Sequence, residues 1–249
     1  MKQSRFKLMM VLCLVCLGWV RTAAADDFLS EEELYGEVIE EQAAVNSDPL
    51  EVINRAIFEF NDLFFLYVMD PIATGYTALT PDPIEDGAEN FFHNLKYPVR
   101  FVGNVLQAKF AEAWVETGRF AINTTLGIGG VLTPANAIEG LAAVPGEDVG
   151  QALGVWGINE GAYLVLPIFG PTNVRDLIGT LGDRAVNPFV EPWTVLDEWE
   201  WRTAYSAGKA VVDSPEISDR YVQMKGTALD PYGALKNAYT QYRRAAIEQ

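Results

Sequence analysis

Little in this chain can carry reactive chemistry. Its 249 residues include two cysteines and one histidine. Cys13 and Cys16 both fall in a stretch with the features of an export leader, so the chain beyond it has no disulfide and no thiolate ligand. With a single histidine as well, an ordinary zinc site is excluded. Serines are few and no Gly-x-Ser-x-Gly elbow occurs, which argues against a serine hydrolase. His93, in "FFHNL", sits beside two phenylalanines and reads as a packing or hydrogen-bonding residue. The chain is therefore expected to be no enzyme, with no metal and no cofactor.

Positive charge is scarce too. There are 18 Lys+Arg against 34 Asp+Glu, a net charge of −16. Four of the basic residues (Lys2, Arg5, Lys7 and Arg21) belong to the leader, and without them the balance is 14 against 34, or −20. Such a surface excludes nucleic acid as a partner, and with it polybasic docking onto anionic lipid heads. Long apolar runs are missing beyond residue 20. Yet hydrophobic residues make up 49% and aromatics 12%, and the mean hydropathy is +0.06. For so charged a chain that value is high, and it implies more apolar surface than a core requires.

The N-terminus has a basic start, an apolar run from Leu8 to Val20, and the small residues Ala23 and Ala25 before Asp26. This predicts a secretory signal peptide cleaved after Ala25. The apolar run is short for a retained span. Residues 26–47 form an acidic arm ("EEELYGEVIEE"), read as solvated. Residues 48–249 are long enough for one domain with a sizeable core, and neither an internal repeat nor a linker divides them.

The domain reads as all-α. Leu50, Ile53, Ile57, Phe60, Phe64 and Tyr67 recur at helical spacing, with Ser47 or Asp48 as N-cap and Pro49 at the first helical position. Phe58, Phe65, Leu66 and Met69 add apolar groups to the opposite side, so this helix is either deeply buried or faces lipid. Asp70-Pro71 reads as its end. A second helix is predicted from about Asn90, divided at Pro98. A third runs from Val99, with Val102, Val105, Leu106, Phe110, Ala113, Trp114, Phe120 and Ile122 on its apolar positions, and stops at Gly127–Gly130. Tyr163–Phe169 reads as a minor extended segment, followed by further helices.

The segment "RFAINTTLGIGGVLTPANAI" (Arg119–Ile138) carries no charge after its first residue, but polar and glycine residues interrupt it. It is too broken to span a membrane and too apolar for a water-facing loop. "GIGG" lacks the lysine of a P-loop and the spacing of a dinucleotide fingerprint. The acidic pairs Asp86/Glu89 and Glu147/Asp148 read as solvated faces rather than acid/base couples. Several short, uncharged, glycine-interrupted segments fit partial burial in one leaflet, while an ordinary helical core remains the alternative.

"DPLEVINRAIFEFN" (48–61), "NFFHNLKYPV" (90–99), "RFAINTTLGIGG" (119–130) and "EDVGQALGVWGINEGAYLVLPIFGPTNVRD" (147–176) resemble, in order, the signature blocks of the MlaA/VacJ family of Gram-negative outer-membrane phospholipid-transport proteins. The resemblance covers roughly residues 48–200. It implies an all-helical, ring-like protein at the periplasmic face of the outer membrane, its amphipathic helices within one leaflet around a polar channel. Mislocalised phospholipids would leave the outer leaflet through that channel and pass to a soluble periplasmic lipid carrier, with a porin trimer as neighbour. On this reading Asn123, Thr124, Thr125, Gly127, Gly129 and Gly130 form the channel or its hinge, although the glycines serve equally as a plain helix stop. Phe58, Phe60, Phe64 and Phe65 are the membrane-embedded aromatics. Arg55, Arg119 and Arg175 match basic positions of the blocks, as headgroup contacts or as partners of buried carboxylates.

The chain departs from the family where the leader lacks a cysteine in a lipoprotein context, at "LTPA" (132–135), and at Ala162. A soluble periplasmic helical scaffold is the competing function.

Overall fold

The structure is a computed structural model that describes residues 48–249 apart from positions 191 and 193. The leader and the acidic arm, with the readings made on them, lie outside the described residues. The described chain is all-α with one small hairpin. Its elements are α1 (Glu51–Phe64), a π-helical turn (Phe65–Met69), α2 (Asp70–Leu79), α3 (Asp82–Leu95), α4 (Tyr97–Leu106), α5 (Phe110–Leu126), a 3-10 turn (Pro134–Ala137) and α6 (Val149–Val155). The hairpin β1 (Tyr163–Leu166) and β2 (Gly170–Asn173) follows, then α7 (Val174–Val186), α8 (Trp199–Thr227) and α9 (Pro231–Glu248).

Several boundaries differ from the sequence reading. α1 starts at Glu51 with Leu50 as N-cap. Asp48 serves it from outside, accepting the Leu50 N–H at 3.1 Å and the Asn54 side-chain amide at 3.1 Å. Asp70-Pro71 does not end the helix, because the π turn at Phe65–Met69 carries the chain straight into α2. A widened turn accommodates a proline that has no N–H to give. α3 opens at Asp82, eight residues earlier than expected, after Pro81 in extended conformation. The helix read as continuous from Val99 breaks between α4 and α5, where Ala108 takes a left-handed φ of 59°.

The hairpin is antiparallel, with Tyr163 opposite Asn173 and Leu166 opposite Gly170. The free edge of β1 is strapped to α1 by two asparagines seven residues apart. Asn54 donates to the Tyr163 carbonyl at 3.0 Å and accepts the Val165 N–H at 2.9 Å. Asn61 does the same for the Leu166 carbonyl at 2.9 Å and the Ile168 N–H at 2.7 Å. Two helical turns match two strand repeats closely enough for side-chain amides to replace a third strand, leaving no open edge on that side.

The packing partners form a closed circuit. α1 runs through the π turn to α2, α2 packs on α8, α8 on α3, α3 on α4, α4 on α6, and α6 on α9. From there α9 meets β2, and β1 returns to α1.

Burial is inverted relative to a water-soluble bundle. Among the described residues, buried polar or charged residues number 18 and buried hydrophobic ones 10, of which five are alanine. Outside, 32 large hydrophobics are exposed. Among the described residues, Tyr163, Val165 and Tyr232 form a compact apolar cluster, flanked by Ile57, Phe58 and Tyr239. α5 shows the inversion along a single helix: Ala113, Glu116, Arg119 and Asn123 are buried, while Trp114 is 76% exposed and Phe110 and Leu126 also face out. Phe110 and Trp114, read from the sequence only as apolar positions of this helix, thus lie on its outward side. Spacing locates a stripe but not the side it faces.

Candidate functional site

The inward polar stripe of α5 meets α3, α4 and the 3-10 turn around a cavity of about 190 Å³, lined by Glu89, His93, Arg100, Arg119, Asn123 and Asn136 among others. Glu116 is only 2% exposed and lies 2.9 Å from both Nε and a terminal nitrogen of Arg100. Another Arg100 nitrogen donates to the His93 carbonyl at 2.6 Å. The His93 imidazole opens onto accessible space, yet burial first, and the Arg100 charge second, lower its pKa to about 4. A ring that is accessible and still poorly solvated borders a hollow with protein on most sides. It stays neutral at physiological pH.

Arg119 differs from its neighbour. It is 8% exposed, and its guanidinium donates to the Leu141 carbonyl at 2.6 Å and to Asn136 Oδ1 at 2.8 Å. One turn on, Asn123 Oδ1 accepts the Ala135 N–H at 3.1 Å.

A second polar centre joins α6, α7 and α9. Arg243 reaches Asp148 Oδ2 at 2.7 Å and Asp176 Oδ2 at 2.7 Å. Asp176 also accepts from Arg175 Nε at 3.0 Å, the Asn173 amide at 2.8 Å and the Tyr239 hydroxyl at 2.7 Å. Burial alone would raise the Asp176 pKa, but the bonds from Arg175, Arg243 and Tyr239 outweigh it and hold the carboxyl below its usual range. Asp148 caps α6 in a reciprocal box with Gln151, and Glu147 holds Gln107 and Lys109, each at 2.6 Å. Glu147 and Asp148, expected as a solvated pair, are thus structural partners of buried or half-buried cations.

The family model of the MlaA lipoprotein matches residues 46–246. The chain is 32% identical over 206 residues to the intermembrane phospholipid transport system lipoprotein MlaA of Haemophilus influenzae, covering 80% of this chain and 79% of that one. The protein of the same name from Escherichia coli K12 is 31% identical over 200 residues, covering 78% and 76%. A solved structure from work on the maintenance of bacterial outer-membrane lipid asymmetry superimposes with a TM-score of 0.69 at 27% identity, covering 81% of this chain and all of that one. The chain belongs to the MlaA family. Its helical architecture is that of an MlaA protein, and its sequence blocks are MlaA blocks.

Within the structure the predicted site residues separate. Asn123 and Arg119 share the cavity. Thr124 and Thr125 are exposed; Thr124 Oγ1 accepts from Asn94 at 2.9 Å, and Thr125 bonds back to the Ala121 carbonyl at 2.7 Å. Gly127 caps α5, and a β-carbon there would run into the Leu132 carbonyl oxygen. Gly129 has a φ of 71°. Gly130 has a φ of 102°, with the Asn94 side chain in the place of its missing Cβ. Gly127 and Gly130 permit this close approach because they carry no Cβ.

Arg55 is bound by Asp230 and Glu51, 2.8 Å from each, and lies over the Tyr232 ring at 4.4 Å. Arg175 is bound by Asp176. The four phenylalanines do not share a face. Phe65 is buried against Tyr221 at 4.1 Å between ring centroids, and Phe58 meets Tyr232 edge-on at 5.8 Å. Phe64 is half-buried and Phe60 exposed. The outward face of this region is Phe60, Leu63, Leu66 and Tyr67. The sequence reading missed Arg100, Glu116 and Asn136. Glu116 had a signal in its three- and four-residue spacing with Arg119 and Asn123 on α5; Arg100 and Asn136, on other segments, had none.

Proposed function

We propose that this chain works in intermembrane phospholipid transport, seated in one leaflet of the outer membrane with its apolar helix faces in lipid. Its polar interior gives mislocalised phospholipids of the outer leaflet a passage to a soluble periplasmic carrier, beside a porin trimer. The observation that carries this reading is the inverted burial: charged and amide side chains inside, Phe110, Trp114, Phe169 and their like outside. Water disfavours such a surface and lipid favours it. Among the described residues no helix is long and apolar enough to cross a membrane, which fits seating in one leaflet rather than spanning.

The closed packing circuit supports a ring, and charges on several of its helices support a polar middle. Lys96 is exposed, yet burial first and Lys209 next lower its ammonium pKa, with Asp213 and Asp183 acting in opposition. These groups come from the α3–α4 junction, α7 and α8, so charges on separate elements act on one another. A headgroup crossing an apolar layer without such a lining would meet a large desolvation cost. No bond is broken in the process, and the chain acts as a conduit.

The exposed apolar surface disfavours the soluble scaffold. The test uses a Gram-negative host without its own MlaA, in which outer-leaflet phospholipid is measured by accessibility to added phospholipase. Expression of this chain lowers that signal, whereas the doubly substituted Phe110→Asp, Trp114→Asp form does not and is released from the membrane at alkaline pH. Full recovery of the unsubstituted chain in the soluble periplasmic fraction would overturn the reading.

A further inference from the structure

Among the described residues, three of the four buried arginines are neutralised within the chain: Arg100 by Glu116, Arg175 by Asp176, and Arg243 by Asp148 and Asp176. Arg119 is the exception. Its two recorded bonds go to a carbonyl and an amide oxygen, and among the described residues it has no carboxylate within ion-pair distance. A guanidinium has five N–H donors in a planar fork, so Arg119 keeps donors for the cavity it lines. Asn123 is placed to add two more: its oxygen is taken by the Ala135 N–H, which leaves the amide nitrogen on the same cavity. Arg119 and Asn123 are four residues apart on α5, so they present their donors side by side. An unneutralised buried cation is costly unless an anion visits it.

The rest of the lining narrows the visitor. His93 is uncharged and adds no second cation. Glu89, exposed on α3, lines the same cavity and supplies an acceptor of opposite sign. At about 190 Å³ the space suits a phosphate with a short polar substituent and is below the size of sites for whole drug-like ligands, so acyl chains stay outside.

We infer that this cavity is a headgroup subsite in which Arg119 and Asn123 hold the phosphodiester and Glu89 receives a primary ammonium, the pattern of a zwitterionic phosphoethanolamine head. The inference rests on the lipid-transport reading for the source of that head. Its chemistry is shared with free phosphate, which lacks the ammonium.

The full chain, purified in detergent and stripped of lipid, is titrated calorimetrically with glycerophosphoethanolamine, glycerophosphoglycerol and inorganic phosphate. Glycerophosphoethanolamine binds most tightly. Arg119→Gln weakens it at least tenfold, and Glu89→Gln weakens it several-fold while leaving inorganic phosphate unchanged. Should Arg119→Gln fail to fold, Asn123→Asp serves instead. It keeps the acceptor for the Ala135 N–H, places a carboxylate beside Arg119, and abolishes binding of all three probes. Unchanged binding in the folded Arg119→Gln or Asn123→Asp protein overturns the subsite. Equal affinity for inorganic phosphate, indifferent to Glu89→Gln, makes the cavity a free-phosphate site and overturns the headgroup assignment. The phospholipase assay judges transport separately. Headgroup binding with no effect of the chain on the outer leaflet would sink the transport reading and leave the cavity's ligand chemistry standing.

Discussion

Arg243 and Asp176 are joined by two hydrogen bonds, Nε to Oδ2 at 2.7 Å and a terminal nitrogen to Oδ1 at 3.0 Å. This fork fastens α9 to α7 inside the molecule, and Asp148 extends it to α6. Replacing Arg243 with Met leaves Asp176 and Asp148 without their shared cation. Removing one partner of a buried pair costs about 3–5 kcal/mol; the lower end is expected, because Arg175, Asn173 and Tyr239 still serve Asp176. Arg243→Lys recovers part of the loss, since an ammonium keeps the charge but not the fork. Denaturant titration in detergent measures both. A Met variant within 1 kcal/mol of the parent would refute the fastening role.

Glu116 and Arg100 give a second test, in double-mutant form. Glu116→Leu alone strands a buried guanidinium and is expected to cost about 3 kcal/mol. Arg100→Met together with Glu116→Leu removes both charges and lies closer to the parent than either single change. Additive losses in the cycle would contradict the pairing.

The glycines after α5 separate by what surrounds them. Gly129→Ala meets nothing within 4 Å and incurs only the left-handed backbone penalty of about 1 kcal/mol. Gly130→Ala adds a clash with the Asn94 side chain, and Gly127→Ala drives a methyl into the Leu132 carbonyl; each is expected to cost about 2–4 kcal/mol. Melting temperatures rank the three. Equal melting temperatures in the three variants would contradict the close approach at Gly127 and Gly130.

Burial, only partly offset by the Val149 N–H, raises the Asp183 carboxyl from 3.8 to about 6. A raised pKa means that the folded state holds the proton more tightly. The associated stability is present below pH 3.8 and lost as pH rises through about 6. Asp183→Asn keeps an acceptor for Val149 and removes the charge. At pH 7.5 the variant is expected to be about 1–2 kcal/mol more stable than the parent, after allowance for solvent screening. The gap closes towards pH 4. His93, common to both proteins, cancels in the comparison. A gap independent of pH would show that Asp183 ionises normally.

Residue pattern alone determined that the chain is helical and that its apolar content exceeds the needs of a core. Composition and 3.6-residue spacing are local properties, so they survive without tertiary information. The family blocks at 48–61, 90–99, 119–130 and 147–176 were legible for the same reason.

Only the tertiary structure decided which face of each helix looks inward. Spacing on α5 is satisfied equally by a Phe110–Trp114 stripe or a Glu116–Arg119–Asn123 stripe, and in water the first would be buried. Here the second is, because the Arg100 guanidinium of α4, the Asn136 amide oxygen and Ala135 N–H of the 3-10 turn, and the Leu141 carbonyl converge to satisfy it. It also separated three arginines that look alike in sequence. Arg55 and Arg175 are neutralised by Asp230 and Asp176, residues 175 positions away and next door, while among the described residues Arg119 meets only oxygens without charge. Counter-ions are set by contacts between distant segments, and single-chain spacing carries no record of them.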